Sequence, residues 1–277
     1  MSKIVVVSGS PRKKGNTISM VKIVEENIKK MDASVEFEYI YLIEKNLGYC
    51  LGCNSCLLKG PEKCLKRDDA KEILETMHSA DGLIFLSPGY AHSVSGLFKN
   101  FIDRFMFLDH LPEFEGVPAM ILSTAGGDGV GAAPKYMADM AVRWWGCNII
   151  AQIGIGHAFY SMNEKYKAKY NKKLIRASED LLAEMTAKQP MRPTFKSYMF
   201  FIFNKSEGQI SPSAQPARHQ YWVDKGWYDA DYYYDTKITP LYKMVGGLSS
   251  ALMKTVFLLL LGKDADKKLG AWTHNMY

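Results

Sequence analysis

Short apolar runs alternate with stretches of helical periodicity through the first 189 residues. Lys3–Ser8 (KIVVVS) is a continuous apolar run, the pattern of a strand buried on both faces of a parallel sheet. Thr17–Lys30 carries Ile18, Val21, Ile23, Val24 and Ile28 at helical spacing. Val35–Leu42 alternates β-branched and aromatic residues with charged ones, which predicts a strand with one less-buried face. Asp68–Ser79 reads as a helix, with Asp68 and Asp69 at the end where carboxylates favour the helix dipole. Gly82–Ser87 (GLIFLS) and Val117–Ser123 (VPAMILS) predict two further buried strands, with an amphipathic helix over Val94–Phe107 between them. A helix over Ala132–Trp145, a strand over Asn148–Ile153 and a long helix over Glu164–Lys188 complete the series. Five strands separated by helices predict an α/β fold, a doubly wound five-stranded parallel sheet. Ligands of such sheets bind at the carboxyl ends of the strands, near the switch point.

The pattern changes after residue 189. Pro190, Pro193, Pro212 and Pro216 interrupt it, and residues 221–234 (YWVDKGWYDADYYY) are dominated by Trp and Tyr. Residues 246–262 (GGLSSALMKTVFLLLLG) are apolar but broken by Lys254, and fall short of the run of about 20 residues that spans a bilayer. We read 190–277 as a C-terminal, partly helical extension on a 1–189 domain. The aromatic segment is expected as core or interface, with a lid over a ligand pocket as the other role. The apolar stretch is expected as a buried or subunit-interface helix, with a peripheral membrane contact as its alternative.

With 47% hydrophobic residues, the 277-residue chain can bury a full core. The formal net charge of +6 is spread without a long basic block, which argues against nucleic-acid binding. A mild positive bias suits anionic, phosphate-bearing ligands. The start, MSKIVVVSGS, lacks the features of a signal peptide, so a cytoplasmic protein is expected. No Ser-His-Asp or Cys-His arrangement is evident. Of the scattered His78, His92, His110, His157, His219 and His274, only His92 lies near a candidate ligand loop.

Three loops follow strands on the carboxyl edge. Gly9–Thr17 (GSPRKKGNT) joins a strand to a helix start. Ser8, Ser10, Arg12, Gly15, Asn16 and Thr17 there make an anion cradle of hydroxyls, an amide, a guanidinium and free backbone N–H groups. It matches neither G-x-x-x-x-G-K-[ST] nor G-x-G-x-x-G, which disfavours ATP and a Rossmann dinucleotide. Ser87-Pro88-Gly89-Tyr90 ends the third strand, with Lys99 and Asp103-Arg104 on the following helix, and Tyr90 is placed to stack on a planar ring. Ser123, Thr124, Ala125, Gly126 and Gly127 follow the fourth strand, where glycines let backbone N–H groups approach a ligand.

Cys50, Cys53, Cys56 and Cys64, spaced C-x2-C-x2-C-x7-C, follow the second strand. Two x2 gaps gather three thiolates, and a turn through Gly60-Pro61 brings in the fourth. Four thiolates suit a [4Fe-4S] cluster or a tetrahedral zinc; a disulfide pair is the remaining alternative. This loop is expected at the same carboxyl edge as the other three. Cys147, after two tryptophans, is expected as a buried, inert thiol.

GSPRKKGNT, SPGY…LFKNFIDR and CLGCNSC…C…DD together resemble the NAD(P)H-dependent FMN reductase group of flavodoxin-like fold, and the compact cysteine motif resembles its iron–sulfur flavoproteins. The resemblance covers roughly residues 1–188. It implies FMN phosphate held by Ser10, Arg12, Asn16 and Thr17, with Pro88, Gly89 and Tyr90 beside the ribityl chain and ring. It places Ser123–Gly127 at the polar edge of the ring and a [4Fe-4S] cluster on Cys50, Cys53, Cys56 and Cys64. It also implies electrons from NAD(P)H or a reduced carrier, chemistry carried by FMN with no catalytic side chain, and a homodimer or higher oligomer with flavin and cluster facing each other across an interface. A zinc-stapled or cluster-free reductase, and a carrier without turnover, remain as alternatives.

Overall fold

The computed structural model describes residues 2–64, 66–157, 163–210, 212–262 and 266–267. A parallel five-stranded sheet runs through its centre, in the order β2-β1-β3-β4-β5. The strands are β1 (Lys3–Ser8), β2 (Glu36–Tyr41), β3 (Gly82–Pro88), β4 (Pro118–Ala125) and β5 (Asn148–Gly156). Because side chains alternate along a strand, each apolar run feeds two cores. Val5, Val7, Phe85 and Ile121 go to one face, and Ile4, Val6, Ile84 and Met120 to the other.

The second face is covered by α1 (Asn16–Met31) and α6 (Glu164–Met185), which pack on each other. The first is covered by α3 (Ala70–His78), α4 (Gly96–Arg104) and α5 (Ala132–Met137); a one-turn helix, α2 (Ser55–Leu58), lies in the cysteine loop. Two predicted helices are interrupted. α4 ends where the Phe105 N–H is shared between Phe101 and Ile102, and a 3-10 turn, Met106–Asp109, takes over. α5 gives way to a π turn over Ala138–Val142, closed by an Arg143 N–H bond to the Ala138 carbonyl, which inserts a residue into the helix.

The C-terminal region adds α7 (Phe195–Ile210), α8 (Pro216–Asp224) and α9 (Pro240–Leu261). α7 and α9 lie parallel: Phe195 meets Tyr242, Ser206 bonds Ser250, and Gln209 bonds Lys254. α8 packs against α2. The aromatic segment does not lid the carboxyl edge. Trp222 donates to the His110 carbonyl (2.8 Å), Tyr221 to Pro112, and Tyr234 to Met191 (2.8 Å) and to Asn148 (3.1 Å) at the start of β5. It therefore seals the amino-terminal side of β4 and β5. Of the roles expected for the apolar stretch, burial within the chain fails: α9 is long and apolar enough to cross a membrane, yet only 6% of its most apolar 18-residue window is buried.

Candidate active site at the two ends of α4

The strand order reverses between β1 and β3, and the three predicted ligand loops meet at this switch point. Ser95 holds them together. Its hydroxyl caps α4 by accepting from the Phe98 N–H and donates to the Gly9 carbonyl (2.6 Å), while its N–H donates to the Ser87 hydroxyl (2.9 Å). Gly9 is required by close approach, since a Cβ there would lie 2.6 Å from that of Phe98. Thr17, the second residue of α1, bonds Thr124 at 2.6 Å, tying the phosphate loop to β4. Gly89 donates to the Thr124 carbonyl at 2.7 Å.

Within the phosphate loop, the buried Ser10 hydroxyl accepts from the Arg12 N–H (3.1 Å), and Ser10 N–H points to the Ser8 hydroxyl (3.3 Å). Arg12 and Asn16 are exposed. α1 begins after Gly15 with no side-chain cap and no acid in its first turn, which leaves its positive end to an anion. Ser123 Oγ is buried without a hydrogen-bond partner among the described residues, and such an atom calls for a ligand or water. Tyr90 is half-exposed and pairs with Ser93 across a turn in which Ala91 (φ 48°) and His92 (φ 59°) are both left-handed. Non-glycine residues in that region cost energy and cluster at ligand sites. His92 Nε2 reaches Asp128 (3.4 Å), so the loops after β3 and β4 touch. These groups suit a flavin phosphate below and a planar ring above.

The four cysteines gather elsewhere. They line one cleft of about 760 Å³ with Leu74, Arg104 and Phe107, at the carboxyl end of α4 rather than at the carboxyl edge of the sheet. The loop after β2 is long enough to fold back along α4, where Asn100 bonds the Leu47 carbonyl (2.7 Å). Nine helical residues put the two ends of α4 about 13 Å apart.

A buried ion pair anchors this cleft. Arg104 and Asp68, with side chains 4% and 6% exposed, meet at 2.9 Å. The Arg104 Nη1 donates to Cys64 Sγ at 3.2 Å, and Asp68 also accepts from the N–H groups of Gly48 (2.8 Å) and Ala70 (3.2 Å). Burial disfavours both charges, but these hydrogen bonds outweigh it: the Asp68 pKa falls and that of Arg104 rises. Cys56 is pushed up to about 11 by burial and by the neighbouring Cys64, Cys50 and Cys53. Cys53 is lowered by hydrogen bonds with Ser55. Among the described residues no three His, Cys, Asp or Glu side chains are closed around a metal-sized point. The donor set itself fits a thiolate-bound metal, with four thiols that sense one another and a fixed cation at their rim.

Arg104 was expected on the flavin side and Asp68 only as a dipole partner; the structure brings them together beside Cys64. The signal was present, since Arg104 falls on the apolar stripe of α4, one turn from the buried Phe101. Ser95 was missed altogether. Lys99 pairs with Asp103 and takes no part. Cys147 is buried, and burial pushes its thiol up, as expected. His274 lies outside the described residues.

Residues 2–159 match the model of a family described as NADPH-dependent FMN reductase. An iron-sulfur flavoprotein of Archaeoglobus fulgidus is 26% identical over 230 residues, covering 81% of this chain and 99% of that protein. One from Clostridioides difficile is 40% identical over 110 residues, 39% of this chain and 48% of its own length. Among solved structures, RosB with bound 8-demethyl-8-formylriboflavin-5'-phosphate gives a TM-score of 0.53 at 14% identity. It covers 87% of this chain and 92% of its own, a flavodoxin-like likeness reaching past the sheet into the C-terminal region.

Proposed function

The chain belongs to the NADPH-dependent FMN reductase family, and on that premise we propose a flavin oxidoreductase that passes electrons from NAD(P)H or a reduced carrier through FMN and a [4Fe-4S] cluster to an acceptor. When bound, FMN would supply two-electron chemistry with the nicotinamide and the cluster one-electron transfer. The observation that carries this reading is the pairing of an anion cradle at one end of α4 with a four-thiol cleft at the other. The iron-sulfur flavoprotein names of the relatives support the second half of it.

In this reading residues 1–189 form the flavin domain. Ser10, Arg12, Asn16 and Thr17 bind the phosphate with the open N-terminus of α1, and Ser8 and Gly15 shape the loop. Pro88, Gly89 and Tyr90 flank the ribityl chain and ring, while Ser123–Gly127 face its polar edge, where Ser123 would gain its missing partner. Cys50, Cys53, Cys56 and Cys64 hold the metal centre, and Arg104 fixes Cys64.

Anaerobic titration of the purified protein with NADPH or NADH tests the activity. Bleaching of the flavin band, with repeated turnover on an added acceptor, is expected; a flavin that neither nicotinamide reduces would remove the reductase reading. Arg12→Ala removes a charge-assisted bond to phosphate and should weaken FMN binding roughly tenfold or more. Unchanged retention would remove Arg12 from the cradle.

A further inference from the structure

We propose that α9 lies flat in the surface of a lipid bilayer and holds the protein at a membrane without crossing it. This role is independent of the flavin reading. Successive residues of a helix turn by about 100°, so Leu241, Leu248, Leu252 and Leu259 fall within about 40° of one another around its axis. They form a line along the whole helix, and each is between 60% and 80% exposed. Met244 and Val256 widen this face on either side, and Leu258 and Leu260 extend it to both flanks at the carboxyl end.

The width of the face identifies its occupant. From Leu258 through Leu259 to Leu260, exposed apolar side chains sweep about 200° of the helix. A packed protein surface covers a stripe nearer 100° and would leave the flanking leucines in water. A bilayer closes round the full arc. The charges agree. α9 carries no acid, and its two cations, Lys243 and Lys254, lie roughly 140–160° from the leucine line. They are turned to the body of the protein, Lys243 to Asp231 and Lys254 to Gln209. The face itself is therefore free of charge. Residues 240–277 hold five lysines, two aspartates and no glutamate, a balance that suits anionic headgroups.

The ends of α9 decide between lying on a bilayer and crossing it, since length and composition alone would permit a span. In the first turn, Tyr242 is seated against Phe195. Beyond the other end, Asp266 accepts from the Ser213 N–H (2.8 Å), a few residues past α7. Between these points Ser206 of α7 bonds Ser250 (2.7 Å). Both ends of α9 and its inner side are thus tied to one helical body, and α7 brings Lys205, Glu207 and Gln209 with it. Such a helix cannot be drawn through hydrocarbon. It can offer its free side to the interface, to the depth of about 5–10 Å that in-plane helices reach.

Flotation of the purified full-length protein with phosphatidylcholine–phosphatidylglycerol vesicles tests this. The wild type should rise with the lipid. Leu248→Glu/Leu252→Glu should lower the partitioning roughly tenfold or more, with FMN content and far-UV circular dichroism unchanged. A second readout separates lying flat from crossing or dipping by one end. Leu241→Trp and Leu259→Trp place a fluorophore at the two ends of the leucine line. Lipids brominated on their acyl chains should quench the added fluorescence of both. A wild type that stays in the aqueous phase, a Glu variant that floats equally well, or quenching at one end alone would overturn the proposal.

Discussion

The two ends of α4 are built by opposite means. At the amino end, Ser95, Ser87, Gly9, Thr17 and Thr124 are joined by neutral hydrogen bonds on the rigid ends of three strands. At the carboxyl end, the cysteine loop is irregular backbone held by a buried ion pair, with Arg104 also reaching Cys64. Just beyond lies Asp109, half-buried, its carboxylate accepting from the Trp145 N–H (2.9 Å) and its backbone carbonyl from Asn204 (2.6 Å), with its pKa pushed up by burial to about 8. The lesson is that the flavin end should answer to size and the thiol end to charge, and that either should fail while the other persists.

Four changes sharpen or break this contrast. The largest effect is expected from Arg104→Leu. It leaves Asp68 charged and buried without its partner, which costs about 3–5 kcal/mol, and it frees Cys64. Metal retention should collapse while FMN binding persists, read by metal and flavin analysis beside urea melts. Arg104→Lys should recover only part of it, since an ammonium cannot serve Asp68 and Cys64 as a fork does.

Next comes Asp109→Asn. Asp109 ionises near pH 4 when unfolded but near pH 8 in the folded protein, so between those values the folded state holds the extra proton. Stability therefore falls as pH rises through this window and levels off above it. Removing the acid should raise stability by about 2–4 kcal/mol at pH 8 and by little at pH 4. Parallel denaturation curves at the two pH values check it; an equal gain at both would mean that the carboxyl is not neutral.

Gly9→Ala acts at the other end. Its methyl group must displace Phe98, an overpacking that costs about 1–3 kcal/mol. FMN affinity should drop with metal content unchanged, by fluorescence titration of the apoprotein. The smallest effect is expected from Thr17→Val, which removes one buried hydroxyl bond worth about 1 kcal/mol and should weaken FMN binding a few-fold.

The sheet was legible in the sequence because runs such as KIVVVS and GLIFLS are buried on both faces, and burial leaves a compositional trace. The phosphate loop was legible because it joins a strand to a helix start. The ion pair was not, because its partners stand 36 residues apart and each has a plausible local role. The aromatic segment is core, as expected, but where it packs was not legible: Trp222 and Tyr221 are fixed by backbone carbonyls of His110 and Pro112, and no periodicity announces such bonds. α9 shows a further limit, since an apolar pattern reports which residues avoid water but not which surface shields them.

The contrast between the two ends of α4 is tested most directly by measuring iron, acid-labile sulfide, zinc and FMN per chain in anaerobically purified wild type and Arg104→Leu. Near-stoichiometric FMN in both proteins is predicted, with about four iron and four sulfide in the wild type alone. Zinc in place of iron would make the thiol end a structural brace. Loss of FMN together with the metal, or a variant that keeps its full iron, would contradict the separation on which the account rests.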